Sequence, residues 1–273
     1  MKLTFLGSGS AFTLDPDNYQ SNLILTGDRG RNLLLDCGSD IRFALRDVGL
    51  SHLDITDIYI SHLHADHVGG LEFIGFSTQF DPRCSKPQLY LPESLVNDLW
   101  ENTLSGGMRS IQGRTATLDT YFNPCPVPDR GTFVWEGKSF QLVPTVHIED
   151  DREAVESYGL FFELDGTKIF FTTDTQFCPD RLRTFYEKAD IIFHDCETTP
   201  YKSTVHSHYD ELLSLPASIR RKMWLYHYQT GPLPDARQDG FLGFVRRGQQ
   251  FQFAERTSPV AAVGCFAPIQ NSS

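Results

Sequence analysis

Residues 60–73 read ISHLHADHVGGLEF. His62, His64, Asp66 and His67 lie within six positions of one another, flanked by apolar residues. Crowded imidazoles repel unless they share a cation, and imidazole and carboxylate are the donors zinc prefers. In an extended turn, His62 and His64 are two apart and point the same way. Asp66 and His67 follow where the chain bends into a helix, so they can face a second point nearby. One short motif cannot fill two coordination shells, so further donors are expected at strand ends downstream. His147 closes the apolar run QLVPTVH, Asp174 closes KIFFTTD, and His227 sits within WLYHY. Of the remaining histidines, His194 in IIFHD reads as a buried, hydrogen-bonded side chain and His52 in GLSHLD as a surface loop residue.

These donors need a frame. LTFLGS, NLILTG and NLLLDC read as strands, the last two joined as a hairpin through GDRGR. SDIRFALRDVGL has helical apolar spacing, with Gly49 as its stop. DIYISH is a strand leading directly into the histidine cluster, and VGGLEFIGFSTQF reads as a helix. QLYLP is a strand, and PESLVNDLWENTL a helix with Pro at its start. Residues 105–131, with SGGMRSIQGR and NPCPVPDRG, are rich in Gly, Pro and polar residues and read as long loops, a lid or an intersubunit arm. Strands resume with TFVWEGKSFQLVPTVH, which turns at Glu136–Gly137–Lys138. GLFFELDGTKIFFTTD is a hairpin whose Asp165–Gly166 predicts a type I′ turn. PDRLRTFYEKA is a helix, DIIFHDCE a strand, DELLSLP a short helix and KMWLYHY a strand. Strands and helices interleave in both halves, which predicts two sheets face to face with helices outside, in a single domain over residues 1–273.

Composition narrows the function. The 273 residues carry 40% hydrophobic and 22% charged side chains and a formal charge of -11. The sequence pI is about 5.2. A general nucleic-acid binder would show a basic balance, so RNA is disfavoured as a partner. The six cysteines form no CxxC pair, which argues against a zinc ribbon or a thioredoxin-like motif. The opening MKLTFLGSGSAF has no apolar stretch of signal-peptide length, and no run approaches a membrane span. The expectation is a cytoplasmic protein with reduced thiols and no membrane partner.

HxHxDH, a lone His, an Asp after an apolar strand and a late His together resemble the metallo-β-lactamase superfamily, from FLGSGS at residues 5–10 to Tyr226–His227–Tyr228. The resemblance implies an α/β, four-layer αββα metallo-β-lactamase fold with two mixed β-sheets. It implies that His62, His64 and His147 hold one metal, that Asp66, His67 and His227 hold the second, and that Asp174 bridges them. The donors suit two Zn2+ ions, and manganese or iron would accept the same set.

Residues 191–212, IIFHDCETTPYKSTVHSHYDEL, are similar to the part of ribonuclease Z and related phosphodiesterases that carries a His-Glu-Ala-Thr and then a His-Ser-Thr stretch. Here Asp195 replaces the usual Glu, and His208 adds a histidine. No arm rich in Lys and Arg follows His67, and the family's CGEGTQ element reads CGSDIR at residues 37–42. LHADHVGGLEF, WLYHY and GFVRRGQQFQF are similar to compact metallo-β-lactamase-fold phosphodiesterases acting on cyclic nucleotides, some of them phage or bacterial proteins that degrade cyclic nucleotide signals. The resemblance thus implies hydrolysis of a small phosphodiester, a cyclic nucleotide, in a homodimer. The alternatives are tRNA 3′ processing of the ribonuclease Z type and, more distantly, thioester or lactam hydrolysis. Two metals about 3.5–4 Å apart would acidify a shared water, so that hydroxide attacks phosphorus. Asp66 would hold or deprotonate the nucleophile, and His206 would protonate the leaving oxygen. His206 and His208 would contact substrate, and Asp195 and Glu197 would orient a ligand or catalytic histidine.

Overall fold

The computed structural model describes residues 1–149, 151 and 154–253. Cys265 and the rest of residues 254–273 lie outside them. The strands are β1 (Lys2–Phe5), β2 (Leu23–Thr26), β3 (Asn32–Leu35), β4 (Asp57–Tyr59), β5 (Gln88–Pro92), β6 (Ser110–Ile111), β7 (Arg114–Thr115), β8 (Asn123–Val127), β9 (Thr132–Trp135), β10 (Lys138–Glu149), β11 (Ala154–Leu164), β12 (Thr167–Phe171), β13 (Ile191–Asp195), β14 (Met223–Tyr226), β15 (Gly243–Phe244) and β16 (Gln250–Gln252). One seven-stranded sheet runs β16-β1-β2-β3-β4-β5-β8, and a second runs β15-β14-β13-β12-β11-β10-β9. Both mix parallel and antiparallel pairs.

Alternation explains the layers. In β2 and β3, Leu23, Leu25, Leu33 and Leu35 face the second sheet, where they meet Phe140, Leu160, Phe162, Phe171 and Phe193. Their neighbours Ile24 and Leu34 point the other way, beneath α1 (Ile41–Asp47) and α3 (Leu71–Phe80), with Ile41, Leu45, Leu71 and Ile74. On the outer face of the second sheet, Phe170, Ile192 and Leu225 pack against Leu182 and Tyr186 of the helix Pro179–Lys188. Three apolar seams therefore separate four layers, helix, sheet, sheet, helix, and the strands read as unbroken apolar runs because both faces are covered. The expected two-sheet α/β architecture is the one observed.

The turns follow local chemistry. Glu136 and Gly137 have φ of 46° and 77°, and Asp165 and Gly166 have 48° and 78°, as type I′ hairpins require.

Residues 105–131 do not form the long loops that their composition suggests. The helical segment starting at Glu93 passes through a π turn at Leu99–Leu104 and continues to Met108. After the β6–β7 hairpin come a helical turn, Leu118–Tyr121, and then β8, paired parallel to β5. Met108, Ala116, Tyr121 and Phe122 are buried, and the Tyr121 hydroxyl donates to the Met108 carbonyl at 2.6 Å. Scattered apolar residues thus anchor a Gly- and Pro-rich segment in the helix-side core. Pro124 and Pro126 fit because β8 is an edge strand. Asn123 donates its N–H to Pro87 of the β5 side, so the alternate positions, which hold the prolines, face away from the ladder.

Candidate metal centre and active site

The donors meet where strands from both sheets end. The parallel strands β12, β13 and β14 lead to Asp174, Asp195 and His227. The parallel pair β3–β4 leads to Asp36 and to the turn holding His62 and His64. Asp66 and His67 lie in the short helix α2 (Ala65–Val68). That helix packs tightly on the loop after β3: Cys37 N–H donates to the His67 carbonyl, and Gly70 N–H to that of Cys37, both at 2.8 Å. A Cβ on Gly38 would lie 2.3 Å from the Asp66 carbonyl oxygen, so only glycine allows this approach.

Two donors depart from their expected places. His147 does not end its strand; it sits at a register shift in β10, where Val146 pairs with Glu156 and Ile148 with Val155. The bulge re-aims its side chain. His227 lies just past β14 rather than within a strand, with φ of 64°. Asp36, Thr173 and Thr204 are also left-handed, at 63°, 56° and 69°. Apart from Glu136 and Asp165 of the hairpin turns, these are all the non-glycine residues of positive φ among the described residues, and such strain collects at functional sites.

The donor atoms form two groups around one carboxylate. His64 Nδ1 lies 3.1 Å from His62 Nε2 and 3.0 Å from His147 Nε2. Asp174 Oδ2 lies 3.8 Å from His62 Nε2 and from His147 Nε2. Asp66 Oδ2 lies 3.0 Å from His67 Nε2 and 3.3 Å from His227 Nε2. Asp174 Oδ2 is 3.3 Å from His67 Nε2 and 3.4 Å from His227 Nε2. Tetrahedral zinc with bonds near 2.0–2.1 Å separates its ligand atoms by about 3.3 Å, so these spacings fit divalent cations. One buried donor atom that faces the cluster, His67 Nε2, has no hydrogen-bond partner. An orphaned buried polar atom is costly, and a cation would satisfy it.

The far side of each ring fixes which nitrogen faces the cluster. His147 Nδ1 donates to the Val205 carbonyl at 2.9 Å, leaving the Nε2 lone pair inward. His62 Nδ1 faces the Ser61 hydroxyl at 3.0 Å, which donates to Asp36 at 2.9 Å. His67 Nδ1 donates directly to Asp36 Oδ2 at 2.8 Å. His227 Nδ1 lies 3.4 Å from Asp195 Oδ1. Burial pushes His62, His64 and His147 below the ordinary histidine pKa. Burial opposes charge on His67 and His227 too, but the carboxylates around them win and hold both well above it. Burial would likewise raise Asp66, yet His67 and His227 hold it well below the usual carboxylate range.

The structure brings all seven expected donors together, and His206 beside them. His206 Nδ1 donates to Asp195 Oδ2 at 2.8 Å, and its ring centroid lies 5.0 Å from that of His147 and 4.7 Å from that of His227. Burial acts against its charge, but Asp195 outweighs that and raises its pKa. Asp195 also accepts the Thr175 N–H at 2.9 Å. Glu197 accepts the Ser203 N–H at 2.8 Å and so braces the 198–205 loop instead of a ring.

His208 is not placed for substrate. Its Nδ1 accepts the Asp210 N–H at 3.2 Å as a helix cap, and its Nε2 donates to the Thr199 carbonyl at 2.9 Å. With both ring nitrogens engaged, it serves the helix start and the loop. His194 is buried and bonded as expected, to Tyr186 Oη at 2.6 Å and the Asp195 carbonyl at 2.7 Å. His52 pairs with Asp81 at 3.3 Å. Sequence reasoning missed Asp36, although a carboxylate closing the apolar run NLLLD is the same signal that picked out Asp174.

The family model described as Anti-Pycsar protein Apyc1 matches residues 1–251. The Anti-Pycsar protein Apyc1 of Paenibacillus harenae is 36% identical over 230 residues, covering 84% of this chain and 90% of its own. That of Bacillus phage vB_BsuM-Goe3 is 32% identical over 259 residues, covering 91% and 97%. The solved metallo-β-lactamase fold protein YhfI from Bacillus subtilis superposes with a TM-score of 0.71 at 15% identity, over 92% of this chain and 99% of its own. That likeness establishes the fold.

Proposed function

This chain belongs to the Anti-Pycsar protein Apyc1 family, and we propose that it is a metal-dependent phosphodiesterase whose substrate is a cyclic nucleotide. The observation that carries this reading is the meeting of two donor triads on the one carboxylate of Asp174. His62, His64 and His147 would hold one cation, and Asp66, His67 and His227 the other. Imidazole and carboxylate donors favour zinc. Bound there, two divalent ions would neutralise the phosphate oxygens and acidify water.

The side chains supply the remaining steps. Asp66, ionised and buried between two imidazoles, is placed to take the proton of the attacking water. His206 is held by Asp195 through Nδ1, which leaves Nε2 as the ring nitrogen available to substrate. Its raised pKa keeps a proton available there for the leaving ribose oxygen. Asp195 binds His206 and approaches His227, so it aligns the acid with the centre.

The acidic balance and the folded 105–131 segment leave no basic arm for a large RNA. The homodimer is proposed from the branch resemblance, with the exposed β6–β7 hairpin of the 105–131 segment left as the part that could reach a partner. Among the described residues no helix is long and apolar enough to cross a membrane, and a cytoplasmic location is proposed with the substrate.

The test is a hydrolysis panel with zinc- or manganese-loaded protein: 3′,5′-cyclic nucleotides, bis(p-nitrophenyl) phosphate, precursor tRNA and nitrocefin. Turnover of cyclic nucleotides is expected. Efficient tRNA 3′ processing, or nitrocefin hydrolysis without phosphodiesterase activity, would overturn the reading.

A further inference from the structure

We infer that Phe12 and Tyr201 form a nucleobase-binding rim at the mouth of the metal centre, an inference that rests on the cyclic-nucleotide reading above. Among the described residues eight large hydrophobic side chains are exposed, and the three most exposed are Phe12 at 92%, Leu14 at 90% and Tyr201 at 72%. Single exposed apolar residues on a soluble surface need no explanation. These three, however, belong to two loops at one edge of the molecule.

Topology fixes that edge. β1 is antiparallel to β2, and β2 to β3, so the 6–22 connection emerges at the end where β3 delivers Asp36. Residues 196–208 and 227–242 follow β13 and β14 at the end that delivers Asp195 and His227. Both loops are fastened to the segment that begins with His227. His227 N–H donates to the Ser8 carbonyl at 2.8 Å, Ser10 N–H donates to the Tyr228 carbonyl at 3.0 Å, and the Thr13 and Thr230 hydroxyls are 3.2 Å apart. From the other side, Thr198 N–H donates to Gln229 Oε1 at 2.6 Å, and Gln229 N–H donates to Thr198 Oγ1 at 3.1 Å. Phe80, 69% exposed, sits instead at the far end of the 10-residue helix α3, about 15 Å along its axis from the metal loop.

The loops are built to display these side chains. Gln20 donates to the Ala11 carbonyl at 2.9 Å and Thr13 N–H to that of Ser10 at 3.1 Å, which fastens the backbone on both sides of Phe12. Around Tyr201, Thr199 Oγ1 donates to the Tyr201 carbonyl. His208 holds the Thr199 carbonyl, and buried Glu197 holds Ser203. Glu197 and His208, which serve neither metal nor proton transfer, are thus spent on the loop carrying Tyr201.

In a 3′,5′-cyclic nucleotide the phosphate is fused to the ribose and the base projects from its far side. With the phosphate on the metals, the base must lie at this mouth, and its faces suit aromatic side chains. Two rings on separate loops do not make the roughly 800 Å² per partner of a stable protein interface. The patch fits a planar group reaching out from the centre.

The experiment compares zinc-loaded wild type with Phe12→Ala and Tyr201→Ala on a 3′,5′-cyclic nucleotide and on base-free 1-O-methylribose 3′,5′-cyclic phosphate. Each variant should raise KM for the nucleotide about fivefold to a hundredfold, the range of one base on one aromatic ring. With kcat held within about twofold, the loss is one of uniform binding. KM for the base-free ester should not move, and Phe12→Tyr and Tyr201→Phe should restore binding of the nucleotide. Unchanged KM for the nucleotide, or equal losses on both esters, would overturn the inference. So would conversion of a dimer to a monomer with both activities falling, which would mark the patch as a subunit contact. Wild type inert to every cyclic nucleotide would remove the proposed function as well, and would be seen before any variant is made.

Discussion

The two halves of the centre are supported differently. His62 and His147 lean on neutral groups, the Ser61 hydroxyl and the Val205 carbonyl. His67 and His227 lean on carboxylates, Asp36 and Asp195. The first half is therefore a set of neutral imidazoles, pushed that way by burial. In the second, the surrounding carboxylates outweigh burial and raise the pKa of both imidazoles well above the ordinary histidine value. The contrast teaches that the carboxylates set the charge of each half: Asp66 and Asp174 among the donors, with Asp36 and Asp195 behind the rings, raise His67 and His227, whereas burial dominates in the first half and favours neutral imidazoles.

The largest expected effect comes from the carboxylate the halves share. Asp174→Ala should lose both metal equivalents by elemental analysis and at least about a thousandfold in kcat/KM, the several kcal/mol of charge stabilisation that metals supply. Retention of one tightly held equivalent would show that the halves do not depend on a common ligand. Next, His206→Ala should keep both metals yet fall about a hundredfold in kcat on a ribose leaving group. On a p-nitrophenyl ester, which needs no protonation, it should fall far less. Equal losses on both would mean that His206 is not the acid.

Smaller effects should separate the halves. Asp36→Ala should weaken the equivalent at His67, which it touches directly, about 10- to 100-fold, and the one at His62, which it reaches only through Ser61, by less, measured by competition with a chromophoric chelator. Ser61→Ala, which removes a neutral partner, should cost less. Zinc added to metal-free protein near neutral pH should release protons from the second half, because His67 and His227 have raised pKa values, and that equivalent should weaken as pH falls. Binding to the first half, whose histidines are already neutral there, should change little over the same range. Matching pH dependence for both equivalents would erase the distinction. Smallest of all, His208→Ala should leave metal content alone and cost about 1 kcal/mol of stability through the lost helix cap, read as a lower melting temperature.

Much of this was legible from residue type and spacing. The hairpin turns were visible because Glu136–Gly137 and Asp165–Gly166 carry their conformation locally. The seven candidate donors were visible because metal chemistry restricts which side chains can serve, and because their order along the chain resembles a known family's motif. The 105–131 segment misled because Gly and Pro mark loops on average, whereas the fates of Met108, Tyr121 and Phe122 depend on a core assembled from distant strands. His208 misled because a histidine beside a catalytic one looks like a partner until its ring nitrogens are seen bonded elsewhere.

The sequence by itself determined the candidate donor set, the alternation that makes both sheets two-faced, and the acidic charge balance. These are properties of single residues or short windows, and side-chain chemistry carries them without reference to the rest of the chain. Only the tertiary structure decided which nitrogen each ring turns inward, that Asp174 lies between both donor groups, and that Asp195 holds His206. His67 meets Asp36 across 31 positions, His147 meets Val205 across 58, and His227 meets Asp66 across 161. Hydrogen bonds are directional within a few tenths of an ångström, so pairings over such separations exist only once both sheets have packed.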